Sequence, residues 1–498
     1  LANGDRIQLN IKPFTLGQNT FEVTYYESNN SIARFINSST IELTQVERGI
    51  GPIEVDMSNQ SPGVFIVETA FSLAGRWTVQ VLGESVRQGS PNMVGIFAVD
   101  VKPSLSELQF SVEEYKTSQP SLPLYPIYDA LTRTIWVGDS IPGSGRLWKF
   151  DIESQNYTAH QIDNVSLITI TAFGNNGKIW YLDPTKNIVG NYNPQTDGSK
   201  KYNIPIAGVL SGMSIDQRRQ EDVWLAVGGQ SNSIVRLSPS SGNFTLFEIP
   251  TPDSHPTSVA VDNQGYVWFT ESIGKVGRLD PVSGNITEYQ PSEGRLGEPT
   301  AILLDPKSSN VYISEHEGKA VSILNPVLNL FYRYPAVNPD GLPFGMALDD
   351  YENVWFAQHV IDEIGVLDTT NGEISEVKVP TTGSFVQWLV PDDQGRIWFA
   401  EQRGSSLGSV AFFLSPAGAA QSQAAAEDEQ RENAKTGQVP AAIIGDDTES
   451  QPIPPIGFVL GPIITGGIVV SSILYSRNAL EVRRMIVVAN EVGRSNKG

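Results

Sequence analysis

The chain has 498 residues, a formal charge of −21 at neutral pH, a pI near 4.6 and no cysteine. That length exceeds one ordinary domain and is enough for two sizeable cores. The missing cysteines exclude disulfides, thiolate metal sites and cysteine nucleophiles, and the acidity excludes a nucleic-acid binder, because a phosphate backbone needs a basic footprint.

Leu1 is not a methionine, so the numbering is expected to begin after a removed segment, either a signal peptide or part of a larger precursor. Residues 1–103 hold strand-like runs at 21–26, 63–69, 76–82 and 94–101, separated by Gly, Asn, Ser and Pro clusters. This pattern predicts a small β-sandwich of immunoglobulin-like type. The phrases T-L-G-Q-N-T-F-E-V (15–23) and L-A-G-R-W-T-V-Q-V (73–81) resemble the YtkA-like or CopC-like domain that follows the membrane part of some CopD-family copper proteins. Copper ligands in CopC-like domains are mainly histidines. Here the first histidine is His160, and Met57 and Met93 are the soft ligands left in the domain. Lone methionines of this kind are ordinarily core filler, so the resemblance implies the fold and not the metal.

From 104 to 416 the chain repeats. Trp136, Trp180, Trp224, Trp268, Tyr312, Trp355 and Trp398 follow one another at 44, 44, 44, 44, 43 and 43 residues. A period of roughly 40 to 50 residues made of short alternating strands predicts a seven-bladed β-propeller, one four-stranded blade per repeat. In the best copy, 257–262 reads as the inner strand, 266–271 as the second, 275–280 as the third and 286–290 as the fourth. The seventh repeat lacks a fourth strand. The run E-L-Q-F-S-V-E-E-Y at 107–115 is the candidate to supply it, closing the ring from the N-terminal side and leaving no exposed edge. The tryptophans invite a ligand-stacking reading, but their blade-by-blade period predicts core packing.

The phrases V-W-F-T-E, K-V-G-R-L-D and N-I-T-E-Y of this repeat resemble the virginiamycin B lyase family. The resemblance implies the propeller fold. It also implies a lactone-opening elimination that uses a histidine base in a P-H-G-I motif and a glutamate-bound magnesium ion. A base must have a pKa near neutrality and reach the substrate carbon, while the metal stabilises the developing oxyanion. The motif's histidine position is held here by Thr257, Thr300, Phe344 and Gln387, none of which can act as the base.

What remains is polar. The start of the first strand and the end of the second share one face of a propeller. Glu271, Glu315, His316, Gln358, His359, Glu401 and Gln402 are therefore expected around one mouth of the channel. Glu271 and Glu401 occupy the family's metal-type position, and with Glu315 they could hold Mg²⁺ or Ca²⁺ through oxygen. His316 and His359 are the candidate catalytic residues, as an added imidazole ligand or a base. The alternative is a repeated polar edge, each residue solvated or satisfying a loop amide. His160 and His255 read as structural. Sequons at Asn29, Asn37, Asn59, Asn156, Asn164, Asn243 and Asn285 agree with an exported surface.

Residues 417–455 read as a flexible acidic and Pro-containing linker. Residues 456–475 carry no charge over twenty positions, the length that crosses a bilayer core; a buried soluble helix is the alternative. Acids Asp446, Asp447 and Glu449 precede this segment, and Arg477, Arg483, Arg484, Arg494 and Lys497 follow it. The positive-inside rule then puts the tail, 476–498, in the cytoplasm and both β domains outside. Residues 478–492 are expected to form an amphipathic helix on the inner leaflet. The expected protein is a membrane-anchored extracytoplasmic binding or scaffold subunit that partners other membrane proteins. Its domain resemblance suggests a copper-related assembly, such as an archaeal surface component of ammonia oxidation. A metal-dependent lyase or hydrolase at the propeller mouth is the second reading, and copper delivery a third.

Overall fold

The computed structural model describes residues 4–12, 14, 16–45, 49–174, 177–218, 221–414 and 483–486. The chain separates into two compact units, the first built from residues up to Lys102 and the second from Pro103 to Ser415. The strand pairs of the blades are antiparallel, and among the described residues the one short helical turn is Leu105–Glu107. Among the described residues no helix is long and apolar enough to cross a membrane. Residues 417–455 and 456–475 lie outside them. The amphipathic helix expected over 478–492 is corrected where the chain is described: Arg483–Ile486 form a strand beside Arg6–Lys12.

The first unit has two sheets around one apolar core. One runs Arg6–Lys12, Gly17–Tyr26, Val64–Phe71, Ser58–Ser61, and the other Ile50–Asp56, Ile36–Gln45, Gly75–Ser85, Met93–Val101. Alternation decides which side chains enter: along Met93–Val101 every second residue is buried. Phe21, Phe71 and Trp77 meet ring against ring at 5.3 and 5.4 Å. Met57 and Met93 are both buried in this core, where they act as filler.

The second unit contains seven four-stranded sheets. The fourth blade runs Pro256–Val261, Val267–Glu271, Lys275–Leu279 and Ile286–Tyr289. First strands of successive blades adjoin, and the first strand of blade one, Pro123–Asp129, adjoins that of blade seven, Val386–Pro391, so the ring is closed. Blade seven takes its fourth strand, Leu108–Lys116, from before the ring; it pairs in register with Ser406–Leu414 over nine residues. The marker residues fill the spaces between sheets: Trp136, Trp180, Trp224, Trp355 and Trp398 are buried, as are Trp268 and Tyr312.

An aspartate six or seven positions before the marker sets each turn from first to second strand in blades four to seven. Asp262 Oδ1 accepts from the amides of Gln264, Gly265 and Tyr266, and its Oδ2 takes the indole N–H of Trp268 at 2.8 Å. Asp305 receives the Tyr312 hydroxyl at 3.2 Å, and Asp349 and Asp392 take Trp355 and Trp398 at 2.9 Å each. One carboxylate thus holds both the turn and the core aromatic. Asp349→Ala should cost about 1–3 kcal/mol, since it strips acceptors from the buried Trp355 indole and Asn353 amide. Chemical denaturation of wild type and variant measures the difference, and a loss below about 0.5 kcal/mol would remove the turn aspartate from the fold's supports.

Candidate functional site

The position three residues after the marker closes the second strand in six of the seven blades and holds Asp139, Asp183, Glu271, Glu315, Gln358 and Glu401, all fully buried; the third blade has Val227 there. These side chains turn into the blades. Glu315 Oε1 accepts from Ser322 Oγ at 2.5 Å and Arg333 Nε at 3.0 Å, and Oε2 from the amide of Gly297 at 2.7 Å. Gln358 Nε2 donates to Glu376 Oε1 at 2.9 Å. Asp139 receives the Arg146 guanidinium at 2.6 and 3.0 Å, and Asp183 receives Ser166 and Thr185. Neither aspartate figured in the sequence reading, although each stands at the same offset from its tryptophan as the glutamates do.

Glu271 and Glu401 are different, because each lies beside another carboxylate. Burial raises the Glu271 pKa to about 8, with the charge of Glu288 adding to the effect and Lys275 opposing it. Burial, then Glu114 and Asp362, likewise push Glu401 to about 8. Their neighbours are latched across the blade boundary. Glu288 accepts from the Thr251 amide and hydroxyl at 3.2 and 2.8 Å, and Glu114 from those of Thr381 at 2.8 Å each. Burial pushes Glu288 up, but Lys275 and Thr251 outweigh it and hold it below the ordinary carboxylate range.

The expectation that Glu271, Glu315 and Glu401 converge on a divalent ion therefore needs correction. Glu315 is engaged within its own blade, whereas the carboxyl oxygens of Glu271 and Glu401 are buried without a hydrogen-bond partner among the described residues. Among the described residues, the one set of three acidic or histidine side chains with ligand atoms within 4.8 Å of one another is Glu298, His316 and Glu317.

His316 and His359 are brought together. They follow the second strands of blades five and six, and their Nε2 atoms stand 3.4 Å apart. His316 Nδ1 faces Glu317 at 3.3 Å and Glu298 at 3.6 Å. Two glycines set that geometry: a Cβ on Gly297 would fall 2.3 Å from the Gly318 Cα, so the loops carrying Glu298 and Glu317 touch backbone to backbone. His359 is buried against Phe344 and Phe385, with ring centroids at 5.2 and 4.5 Å. Burial, then the positive charges of His316 and Arg403, lower its pKa to about 4, so its ring is neutral at neutral pH. Gln402 lies elsewhere, donating to Ser140 Oγ at 3.2 Å between blades seven and one.

The inner-strand positions are occupied by non-bases in use. Thr257 Oγ1 reaches Thr270 Oγ1 at 2.8 Å and the Pro299 carbonyl at 3.0 Å. Thr300 donates to the Glu298 carbonyl at 3.0 Å, and Phe344 packs edge-on to Trp388. His160 is held by Tyr192 at 2.8 Å and packs on Trp136, while His255 sits at a left-handed turn with φ 50°.

Comparison with known proteins agrees with this architecture. The virginiamycin B lyase family matches residues 109–327. A streptogramin B lyase structure is similar with a TM-score of 0.54 at 18% identity, over 61% of this chain and 98% of that one. A selenomethionine-substituted virginiamycin B lyase from Staphylococcus aureus gives 0.54 at 17% identity, over 61% and 99%. A catalytically inactive variant of the Staphylococcus aureus lyase with quinupristin gives 0.54 at 18%, over 61% and 99%. No curated protein matches the chain. Residues 103–415 are a virginiamycin B lyase-like β-propeller; at these identities the structural likeness carries the fold alone.

Proposed function

We propose that this protein is a membrane-anchored extracytoplasmic binding or scaffold subunit, in which the propeller docks another membrane protein and residues 456–475 fix it in the bilayer. The observation that carries this reading is at the inner-strand positions, where no histidine stands and the side chains present are held by the fold, Thr257 by Thr270 and the Pro299 carbonyl and Thr300 by the Glu298 carbonyl. A lyase of the resembled type needs a histidine base on an inner strand. Thr257, Thr300, Phe344 and Gln387 stand at that position. The resemblance of the first unit to CopC-like immunoglobulin-type domains supports a copper-related assembly, of which an archaeal ammonia-oxidation complex is one instance.

Gentle detergent extraction from the native membrane, size-exclusion chromatography and mass spectrometry of the co-migrating proteins test this proposal. Stoichiometric membrane-protein partners are the expected result. A chain that elutes alone and opens a cyclic lactone would replace it with the second reading, a metal-dependent lyase or hydrolase. What favours that second reading is the His316–His359 pair, the place where such an enzyme would find an imidazole base.

A further inference from the structure

We propose that His316 and His359 form a site for a first-row divalent transition ion, bound through the two Nε2 atoms, with Glu298 and Glu317 orienting His316 from its Nδ1 side. This goes beyond the binding role, since it assigns the propeller mouth a cofactor. It also differs in ligand chemistry from a carboxylate site for Mg²⁺ or Ca²⁺.

Three features of the geometry point to an ion. The first is the Nε2–Nε2 separation of 3.4 Å. A good N–H···N hydrogen bond would be closer to about 3.0 Å. Two imidazoles bound to one tetrahedral zinc at about 2.0–2.1 Å place their nitrogens about 3.3 Å apart, so the pair is spaced for a shared ion. The second is the arrangement behind His316. A metal-bound imidazole ordinarily donates its other N–H to a carboxylate, which fixes the tautomer and raises ligand basicity, and His316 Nδ1 meets Glu317 and Glu298 at 3.3 and 3.6 Å. The third is the seat of His359. Its ring is wedged between Phe344 and Phe385, and its Nδ1 has no hydrogen-bond partner among the described residues. That seat leaves Nε2 as the nitrogen facing His316, the atom that an ion between the two rings would take.

Imidazole ligands select zinc, copper, nickel or cobalt over the hard cations. His316 is partly exposed, with Glu298 and Glu317 more so, so water or an incoming ligand can complete the coordination. The carboxylates also supply negative charge near the cation, offsetting that of Arg403, whose guanidinium lies over the Phe385 ring at 4.1 Å.

The test uses the full chain in detergent, stripped with chelator and titrated with Co²⁺ and then Zn²⁺. Saturable uptake of one Co²⁺ per chain, with the intense visible bands of a low-symmetry site that Zn²⁺ then bleaches, is expected. His359→Gln and His316→Gln should each abolish those bands while thermal unfolding stays cooperative. Glu317→Gln should weaken binding by about 10-fold to 100-fold without abolishing it. His316→Gln changes the more exposed ring and serves as the decisive variant if His359→Gln fails to fold. Absence of saturable Co²⁺ and Zn²⁺ uptake by the wild type would overturn the proposal. So would binding that survives His359→Gln but disappears when Glu298 and Glu317 are both changed to glutamine, because the ion would then sit on the carboxylate side of His316.

Discussion

Changing Glu271 and Glu401 together to glutamine should leave stability near pH 4 almost unaltered and raise it progressively, by up to about 10 kcal/mol at about pH 9. The reason is inside the protein. Blade six carries Gln358 at the equivalent position, and its amide donates to Glu376, which also accepts the Asn338 amide at 3.0 Å. Blades four and seven repeat the latch with Glu288 and Glu114 as acceptors, but place a carboxyl where blade six has an amide. A protonated carboxyl can donate as that amide does; an ionised one faces a second negative charge without water to screen it.

The sign follows from the shifts. Both groups rise from 4.5 to about 8 on folding, chiefly through burial. Below the lower value both states are protonated and the stabilisation is complete. Between the two values the unfolded chain loses its protons while the folded chain keeps them, so stability falls by up to about 1.4 kcal/mol per pH unit for each group. Above about 8 the loss is complete. Glutamine has no proton to lose, so the difference between wild type and variant isolates these two sites from every other titration. Denaturant midpoints measured across that pH range would show the variant pulling ahead as pH rises. A constant difference would mean that neither carboxyl is protonated in the fold.

The repeat was legible because its marker is covalent in origin: equal spacing of Trp136 to Trp398 survives in the linear sequence, and so does the strand alternation around it. The turn aspartates Asp262, Asp305, Asp349 and Asp392 were equally visible at 43 and 44 residues apart, and their partners lie within seven positions. The direction of the strand-end carboxylates was not visible. The carboxylates that Glu271 and Glu401 face, Glu288 and Glu114, are held by partners 37 and 267 residues away, Thr251 and Thr381, so a reading by local motif does not show what surrounds them. His316 and His359 were visible as individual residues, but their contact spans 43 positions and depends on the ring bringing blades five and six together. In the first unit, strands such as Ile36–Gln45 escaped notice because Ser, Thr and Asn there resemble turn composition, while tertiary pairing with Gly75–Ser85 makes them strand.

Gly277→Ser should destabilise the propeller by at least about 2 kcal/mol, and pairing it with Phe269→Ile should recover most of the loss. Residues 269 and 277 are cross-strand partners, as are Phe356 with Gly365 and Phe399 with Gly408. In each pair the outer end of the ring occupies the space beside the glycine. An added Cβ would come within 2.0 Å of the Phe269 ring, and within 2.1 Å of Phe356 and of Phe399. The blades share this volume in different ways. Blade five fills the same two positions with Ile313 and Ser322, blade three with Leu225 and Val235, and blade one with Val137 and Trp148. A large residue on one strand thus accompanies a smaller one on the other, as close packing at fixed sheet spacing requires. Gly277→Ser alone overfills the space, and Phe269→Ile alone leaves a void that costs a few kcal/mol. The double variant copies blade five. Denaturant unfolding of the four proteins in the cycle should give a coupling of about 1–3 kcal/mol in favour of the pair. Additive losses would show that the blades set their spacing independently of this contact.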